Sequence, residues 1–339
     1  MRNFKRITFA VVGILLVFIT VSVAVIAPYM NSECAYFQDK NLRNKLAGKI
    51  DCIIIGASHA LAGINTNVLD EKLGCNSYNL SGSMMTLDNK YYLLSKELER
   101  NPVKTVILEI SHDTLSRKEN SEYAIGDEPT IARLDSFPER ICYMAQYVSI
   151  DDWLNIYSRE FVMGLNYYQE LLAHHSLNNV DYKAKGFKYK EPVNITLSES
   201  EAEKKHNSQN VTSDYPEENV KKLNEIIELC KSYNCRVVLT VVPESNGLIW
   251  EMDDWDNFSK WLSDYGAKNH CEVYDINLAA KRNTLFTDDK SFSDPDHLSS
   301  IGAITTTEIL ADALLNPDTW IDSSYSSYSE MKKESQYAK

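Results

Sequence analysis

The sequence predicts an α/β protein: a doubly wound parallel sheet of about five strands, interrupted by an inserted helical cap and preceded by one transmembrane helix. Three observations carry this. Short, continuous apolar runs alternate with longer stretches of helical periodicity, the pattern of strands covered on both faces by crossover helices. Residues 114–214 break that alternation. Residues 7–27 carry no charge at all.

From Ile7 to Ala27 the chain is almost wholly apolar, about the length a helix needs to cross the hydrocarbon core. Arg2, Lys5 and Arg6 precede this run and no acid appears before Glu33. Positive charge stays on the cytoplasmic side of a membrane. Residues 1–30 are therefore expected to form a cytoplasmic stub and anchor, with everything after Met30 outside. A cleaved signal peptide has a shorter apolar core, and Pro28 follows the small-residue site at Ala27, so the anchor is expected to be retained.

After a polar neck (31–49), Ile50 to Gly56 reads as the first buried strand. Helical spacing follows from Leu61 to Leu73, then a second strand around Ser77-Tyr78-Asn79-Leu80. Leu87, Tyr91, Leu94 and Leu98 recur at helical intervals. Val103 to Ile110 is a third strand and Arg236 to Val242 a fourth, the latter preceded by a helix that Pro216 opens. Trp255, Phe258 and Leu262 mark a further helix, Glu272 to Ile276 the fifth strand, and Ile301 to Leu315 the last helix. The main domain is thus expected over 50–316 and a flexible tail over 317–339, which is rich in Ser and Lys. The 114–214 insertion carries Tyr143, Tyr147, Trp153, Tyr157, Tyr167 and Tyr168 in helical stretches. It reads as a cap beside the active end of the sheet, although aromatic packing alone gives the same pattern.

Several chemistries are excluded. None of the 12 glycines stand two or five apart, so neither a G-x-G dinucleotide fingerprint nor a G-x-x-x-x-G-K phosphate loop is present. Cys230 and Cys235 are the closest pair among seven cysteines, which removes C-x-x-C zinc and redox motifs. A net charge of −13 argues against a general nucleic-acid partner. Cys52, Cys75, Cys235 and Cys271 each begin a predicted strand. In a flavodoxin-like 2-1-3-4-5 order, Cys52–Cys75 and Cys235–Cys271 disulfides are conceivable, and so are free thiols packed as small apolar groups.

Ligands of open α/β sheets bind beyond the carboxyl ends of the strands. The first strand ends there in Gly56-Ala57-Ser58-His59 before a helix. A serine so placed has backbone N–H groups beside it that can stabilise an oxyanion, and it can equally be an ordinary helix cap. Ahead of the last helix stands Ser293-Asp294-Pro295-Asp296-His297-Leu298-Ser299. Asp and His three apart on a turn can join carboxylate to one imidazole nitrogen and leave the other as a base, or simply form a solvated turn capped by Ser299.

Together these segments resemble the SGNH/GDSL hydrolase superfamily, whose nucleophile lies in a Gly-x-Ser motif after the first strand and whose Asp-x-x-His precedes the C-terminal helix. By that resemblance Ser58 is the nucleophile, His297 the base and Asp294 its orienting partner; Asp296 fits the spacing less well. The family's second block supplies an oxyanion donor after the second strand, which falls here on Tyr78 to Met84, with Gly82 as the backbone donor. The third block departs from the family pattern. Leu108-Glu109-Ile110-Ser111-His112-Asp113 has neither its glycine nor its asparagine, leaving Ser111 or His112 as substitute donors. Ala57 also replaces the aspartate common before the serine. The resemblance covers 50–113 and 216–315, not the cap.

The pattern is similar to the membrane-anchored branch associated with bacterial envelope polymers. That implies an extracytoplasmic serine esterase or O-acyltransferase, with O-acetyl as the expected group and a carbohydrate polymer as substrate, needing no cofactor and no metal. A transferase would also need a multi-spanning membrane protein as acyl donor, since one helix cannot carry an acyl group across. The competing expectation is a catalytically inactive glycan- or partner-binding module of the same fold, which the incomplete third block favours. A metal-dependent phosphoesterase lacks a cluster of His and Asp ligands in the sequence. The adjacent His174 and His175 point apart on a helix. Lys183, Lys185, Lys188 and Lys190, interleaved with Phe187 and Tyr189, could hold an anionic glycan or guard an exposed strand edge.

Overall fold

Strand β1 (Cys52–Ile55) is buried along its whole length, as its unbroken Cys-Ile-Ile-Ile run demands. In the computed structural model, which describes residues 2–30, 40, 42–116, 124–172, 182–195, 209–210 and 214–334, β1 lies between β2 (Ser77–Asn79) and β3 (Thr105–Glu109). β4 (Arg236–Val241) and β5 (Glu272–Asp275) complete a five-stranded sheet in the order β2-β1-β3-β4-β5. All four pairings are parallel. This is the flavodoxin-like 2-1-3-4-5 order expected from the sequence. In register, Ile54 stands opposite Asn79 on one side and Ile107 on the other, so three carboxyl-end loops open at one edge.

The chain divides into two units, Met1–Asn41 with Ile131–Val180 and Leu42–Thr130 with Asp181–Lys339. The first holds α1 (Arg2–Met30), which includes the apolar run, together with two helices of the insertion. The second holds the sheet. Its elements up to the insertion are α2 (Ser58–Gly63), α3 (Thr66–Leu73), α4 (Leu87–Arg100), α5 (His112–Ser116) and the start of α6 (Ala124–Arg133). The insertion continues with α7 (Phe137–Tyr147) and α8 (Ile150–Leu172). The remaining helices are α9 (Glu217–Ser232), α10 (Asn246–Glu251), α11 (Trp255–Asn269), α12 (Arg282–Leu285), α13 (Ser300–Leu315), α14 (Pro317–Ser323) and α15 (Tyr328–Lys332).

One face of the sheet is closed by α2, α3 and α13, whose Ala60, Leu69, Leu310 and Leu314, with Ile64 between α2 and α3, pack with Ile54, Ile107 and Val238. Helices α4 and α9 pack on each other with Leu94, Leu98, Leu223 and Ile227 buried. The helical run from Leu61 to Leu73 is two helices rather than one. Asn65 interrupts it and caps α3 by accepting from the Asn67 and Val68 N–H groups at 3.0 and 3.4 Å.

The tail also departs from expectation. Residues 317–334 are folded, not frayed: Tyr328 and Met331 are buried, and the Tyr328 ring stacks on Trp255 at 5.2 Å. Its hydroxyl donates to Asp275 at 2.9 Å. The described Ser and Lys residues that suggested disorder, from Ser323 to Lys333, are exposed or half-buried around these two anchors. Cys52, Cys75, Cys235 and Cys271 are thiols. Burial of Cys52 and its contact with Cys75 push the Cys52 thiol well up, which suits inert packing.

Candidate active site

The turn after β1 is held from below by a carboxylate. Glu109, the last residue of β3, is buried and its Oε2 accepts the Ala57 N–H at 2.8 Å. Lys90, fully buried on α4, donates to the Glu109 carbonyl at 3.2 Å and stands 4.0 Å from the same carboxylate oxygen. Only glycine fits at position 56, because a Cβ there would lie 2.5 Å from Glu109 Oε2 and 2.6 Å from the Ala60 Cβ. Gly56 and Glu109 together therefore fix where α2 begins, and α2 begins with Ser58.

A second tie comes from β2. The buried Asn79 side chain donates to the Ala60 and Ile64 carbonyls at 2.8 and 3.1 Å while its oxygen accepts the Ser81 N–H at 3.1 Å. This links the loop carrying Gly82 to the helix carrying Ser58. Among the described residues the Gly82 N–H meets no acceptor. The Ser58 N–H is one of the amides that a helix leaves without an internal partner.

The Asp294 to His297 turn is a small antiparallel pairing of residues 292–294 with 297–298. Its sharpness brings His297 Nδ1 to 2.8 Å from Asp294 Oδ1, against 3.9 Å from Asp296 Oδ2. The second Asp294 oxygen takes Lys190 Nζ at 3.1 Å. Partial burial opposes ionisation of Asp294, but the His297 hydrogen bond and the Lys190 ammonium outweigh it and hold the carboxyl well below the usual carboxylate range. Among the described residues His297 Nε2 has no hydrogen-bond partner. Helix α2 packs directly on the 297–298 strand. Ser299 also caps α13, its hydroxyl accepting the Gly302 N–H at 3.3 Å, so the turn combines an Asp294–His297 contact with a helix cap.

His59, to which sequence reasoning assigned no role, stands between the two halves of the site. Its ring meets that of His297 edge-on, centroids 5.4 Å apart, and its Nε2 lies 3.0 Å from Asp296 Oδ1. Asp296 thus belongs to His59 as Asp294 belongs to His297. Burial works against protonating His59, but the Asp296 hydrogen bond and the fields of Asp296, Glu109 and Glu244 push it up to about 9. Glu244, buried just past β4, is pushed up to about 8 by desolvation; His59 opposes the rise, and Asp296, Asp113 and Asp275 add to it. The signal that would have exposed His59 was its position: it follows the serine directly, on a helix start that faces the 294–297 turn.

These shifts predict how stability depends on pH. His59 is raised in the folded protein, so its contribution is complete below about 6.5 and is lost as pH climbs through about 9. Glu244 keeps its proton when folded while an unfolded glutamate has already ionised, so stability also falls between about 4.5 and about 8. The melting temperature of the full chain in detergent is expected to fall steadily from pH 6 to pH 9. His59→Gln should flatten the upper part of that fall; a melting temperature rising with pH would contradict the assignment.

The substitute oxyanion donors are otherwise engaged. Ser111 caps α5, its Oγ accepting the Thr114 N–H at 3.2 Å. The His112 ring packs edge-on against Trp255 at 5.2 Å and Phe258 at 6.3 Å. Of the lysines singled out, Lys185 pairs with Asp70 and with Asn76 at 2.9 Å, and Lys190 reaches Asp294. The last part of the insertion thus meets the start of β2 through Lys185 and the Asp294 turn through Lys190. His174 and His175 lie outside the described residues. One grouping among the described residues could hold a metal ion: His59, Asp296 and His297, whose ligand atoms lie within 4.8 Å of one another.

No family model matches the sequence, and no curated protein matches it. A solved structure, "a putative lipolytic protein of G-D-S-L family" from Desulfitobacterium hafniense DCB-2, is similar with a TM-score of 0.36 at 11% identity, covering 78% of this chain and 99% of that one.

Proposed function

We propose that this chain is an extracytoplasmic serine esterase or O-acyltransferase, held to the membrane by α1 and acting on acyl esters of a cell-envelope or exopolysaccharide polymer. The observation that carries the proposal is the 2.8 Å contact between Asp294 and His297 Nδ1, which leaves Nε2 as the base beside the turn that bears Ser58. Ser58 Oγ attacks the ester carbonyl carbon while His297 Nε2 takes the hydroxyl proton. The carbonyl oxygen becomes an oxyanion, received by the Ser58 and Gly82 N–H groups. The intermediate collapses, the carbon–oxygen bond to the leaving alcohol breaks, and His297 returns the proton to that alcohol. The acyl-Ser58 ester is then resolved by water, giving a hydrolase, or by a sugar hydroxyl, giving a transferase.

Asp294 stays ionised throughout and holds the imidazolium. Ser58 and His297 make no direct hydrogen bond with each other, and catalytic pairs commonly tighten only when substrate arrives. The test is a fluorophosphonate probe on the purified protein, with adducts mapped by mass spectrometry. Labelling is expected on Ser58, absent in Ser58→Ala and reduced on the order of a hundredfold or more in His297→Asn. A folded protein that takes no label would instead favour a non-catalytic binding module.

A further inference from the structure

The insertion contains a helix whose surface does not suit water. Within the first unit, α8 runs against the outer part of α1: the Tyr157 and Phe18 rings lie 5.5 Å apart, the Tyr157 and Ser22 hydroxyls are hydrogen-bonded, and the Tyr168 hydroxyl donates to the Ala24 carbonyl at 2.9 Å. Gly164 allows this approach, since a Cβ there would stand 2.7 Å from the Val25 carbonyl oxygen. A second face of α8 is turned to α7, with the Trp153 indole donating to the Met144 carbonyl at 3.0 Å and Ile156 buried. Adjoining the α1 seam is a third face. Ile150, Leu154, Leu165 and Leu172 fall within one narrow arc of a 3.6-residue helix and are 76%, 70%, 42% and 79% exposed. About 100° round the helix from this stripe, exposed Asp151, Asn155, Arg159 and Asn166 form a polar arc interrupted by the 53% exposed Val162.

A stripe of this kind marks a surface meant to be covered. What covers it follows from its neighbour. The α1 residues beside the seam belong to the run long and apolar enough to cross a membrane, and its Val17, Phe18 and Val21 are exposed as well. Both apolar surfaces thus belong to the one α1–α8 helix pair. We infer that α8 is a second membrane element: its leucine stripe sits in the acyl-chain region of the outer leaflet beside α1, and its Asp151–Arg159 arc faces the headgroups. An amphipathic helix with one strongly polar face lies in the interface and does not span it. The occupant of the stripe is lipid, and the inference rests on the reading of α1 as a retained anchor.

The test uses the full chain reconstituted into vesicles of phosphatidylglycerol and phosphatidylethanolamine that carry a diazirine on one acyl chain. After irradiation, adducts are mapped by mass spectrometry. Adducts are expected on residues 7–27 and also within 150–172, centred on Leu154 and Leu165. Replacing both of these by glutamine should abolish the α8 adducts and leave those on α1 unchanged. Adducts on α1 with none on α8 would overturn the inference while leaving the anchor intact, and would hand the stripe to a protein partner. Adducts on neither would remove the anchor, and this inference with it.

Discussion

Glu109→Ala is expected to cost the main domain about 3–5 kcal/mol and to remove labelling of Ser58, the larger part of both effects arising from one buried carboxylate. Glu109 is 1% exposed and Lys90 is fully buried. Removing the acid withdraws a buried carboxylate from the Lys90 ammonium 4.0 Å away and from His59, whose Nδ1 stands 3.9 Å from Oε1, and taking a carboxylate away from buried cations is costly. The same substitution takes the acceptor from the Ala57 N–H, so the turn that presents Ser58 loses its fixed point. These two consequences can be separated. Glu109→Gln keeps an acceptor for Ala57 without the charge, and should retain labelling at reduced stability. Glu109→Leu paired with Lys90→Met removes both charges and should recover most of the stability without recovering the label. Thermal unfolding and probe labelling of the three variants would decide the matter. If Glu109→Ala labelled like the unaltered protein, Glu109 would not position the nucleophile.

The pairing of Glu109 with the Ser58 turn shows why part of the site was legible and part was not. Runs such as Cys52 to Ile55 announce buried strands, since nothing but a covered sheet accommodates them, and the alternation with helices then leaves few topologies. The Asp294–His297 contact and the helix that begins at Ser58 were legible for a similar reason, because each belongs to a short local pattern at a sheet end. Glu109 and His59 were not. A glutamate closing an apolar strand has no local pattern that tells a structural acid from an exposed one; its role exists only because parallel pairing of β3 with β1 sets it beneath position 57. His59 takes its meaning from Asp296, 237 residues away. The tail was misjudged by composition, since two buried side chains, Tyr328 and Met331, decide its fate among many polar ones.

That anchoring makes Tyr328 the most consequential residue beyond the last core helix. Tyr328→Ala is expected to destabilise the protein by about 3–5 kcal/mol, the range for deleting a buried aromatic ring. The ring is 1% exposed and stacks on Trp255, which also meets His112, the first residue of α5, edge-on. The hydroxyl adds a distinct contribution. It donates to Asp275, whose carboxyl burial pushes up to about 6 while hydrogen bonds from Tyr328 and Asn277 oppose the rise. Tyr328→Phe keeps the stack and deletes only that bond, and should cost about 1–3 kcal/mol, as expected for a buried acceptor left one partner short. Losing the bond also removes a force that favours the ionised carboxylate, so the Phe variant should be affected more at pH 8 than at pH 5. Melting curves of both variants at the two pH values test the two contributions separately. Equal melting temperatures for Tyr328→Ala and the unaltered chain would show that residues 317–334 do not brace Asp275 at the end of β5 and Trp255 at the start of α11.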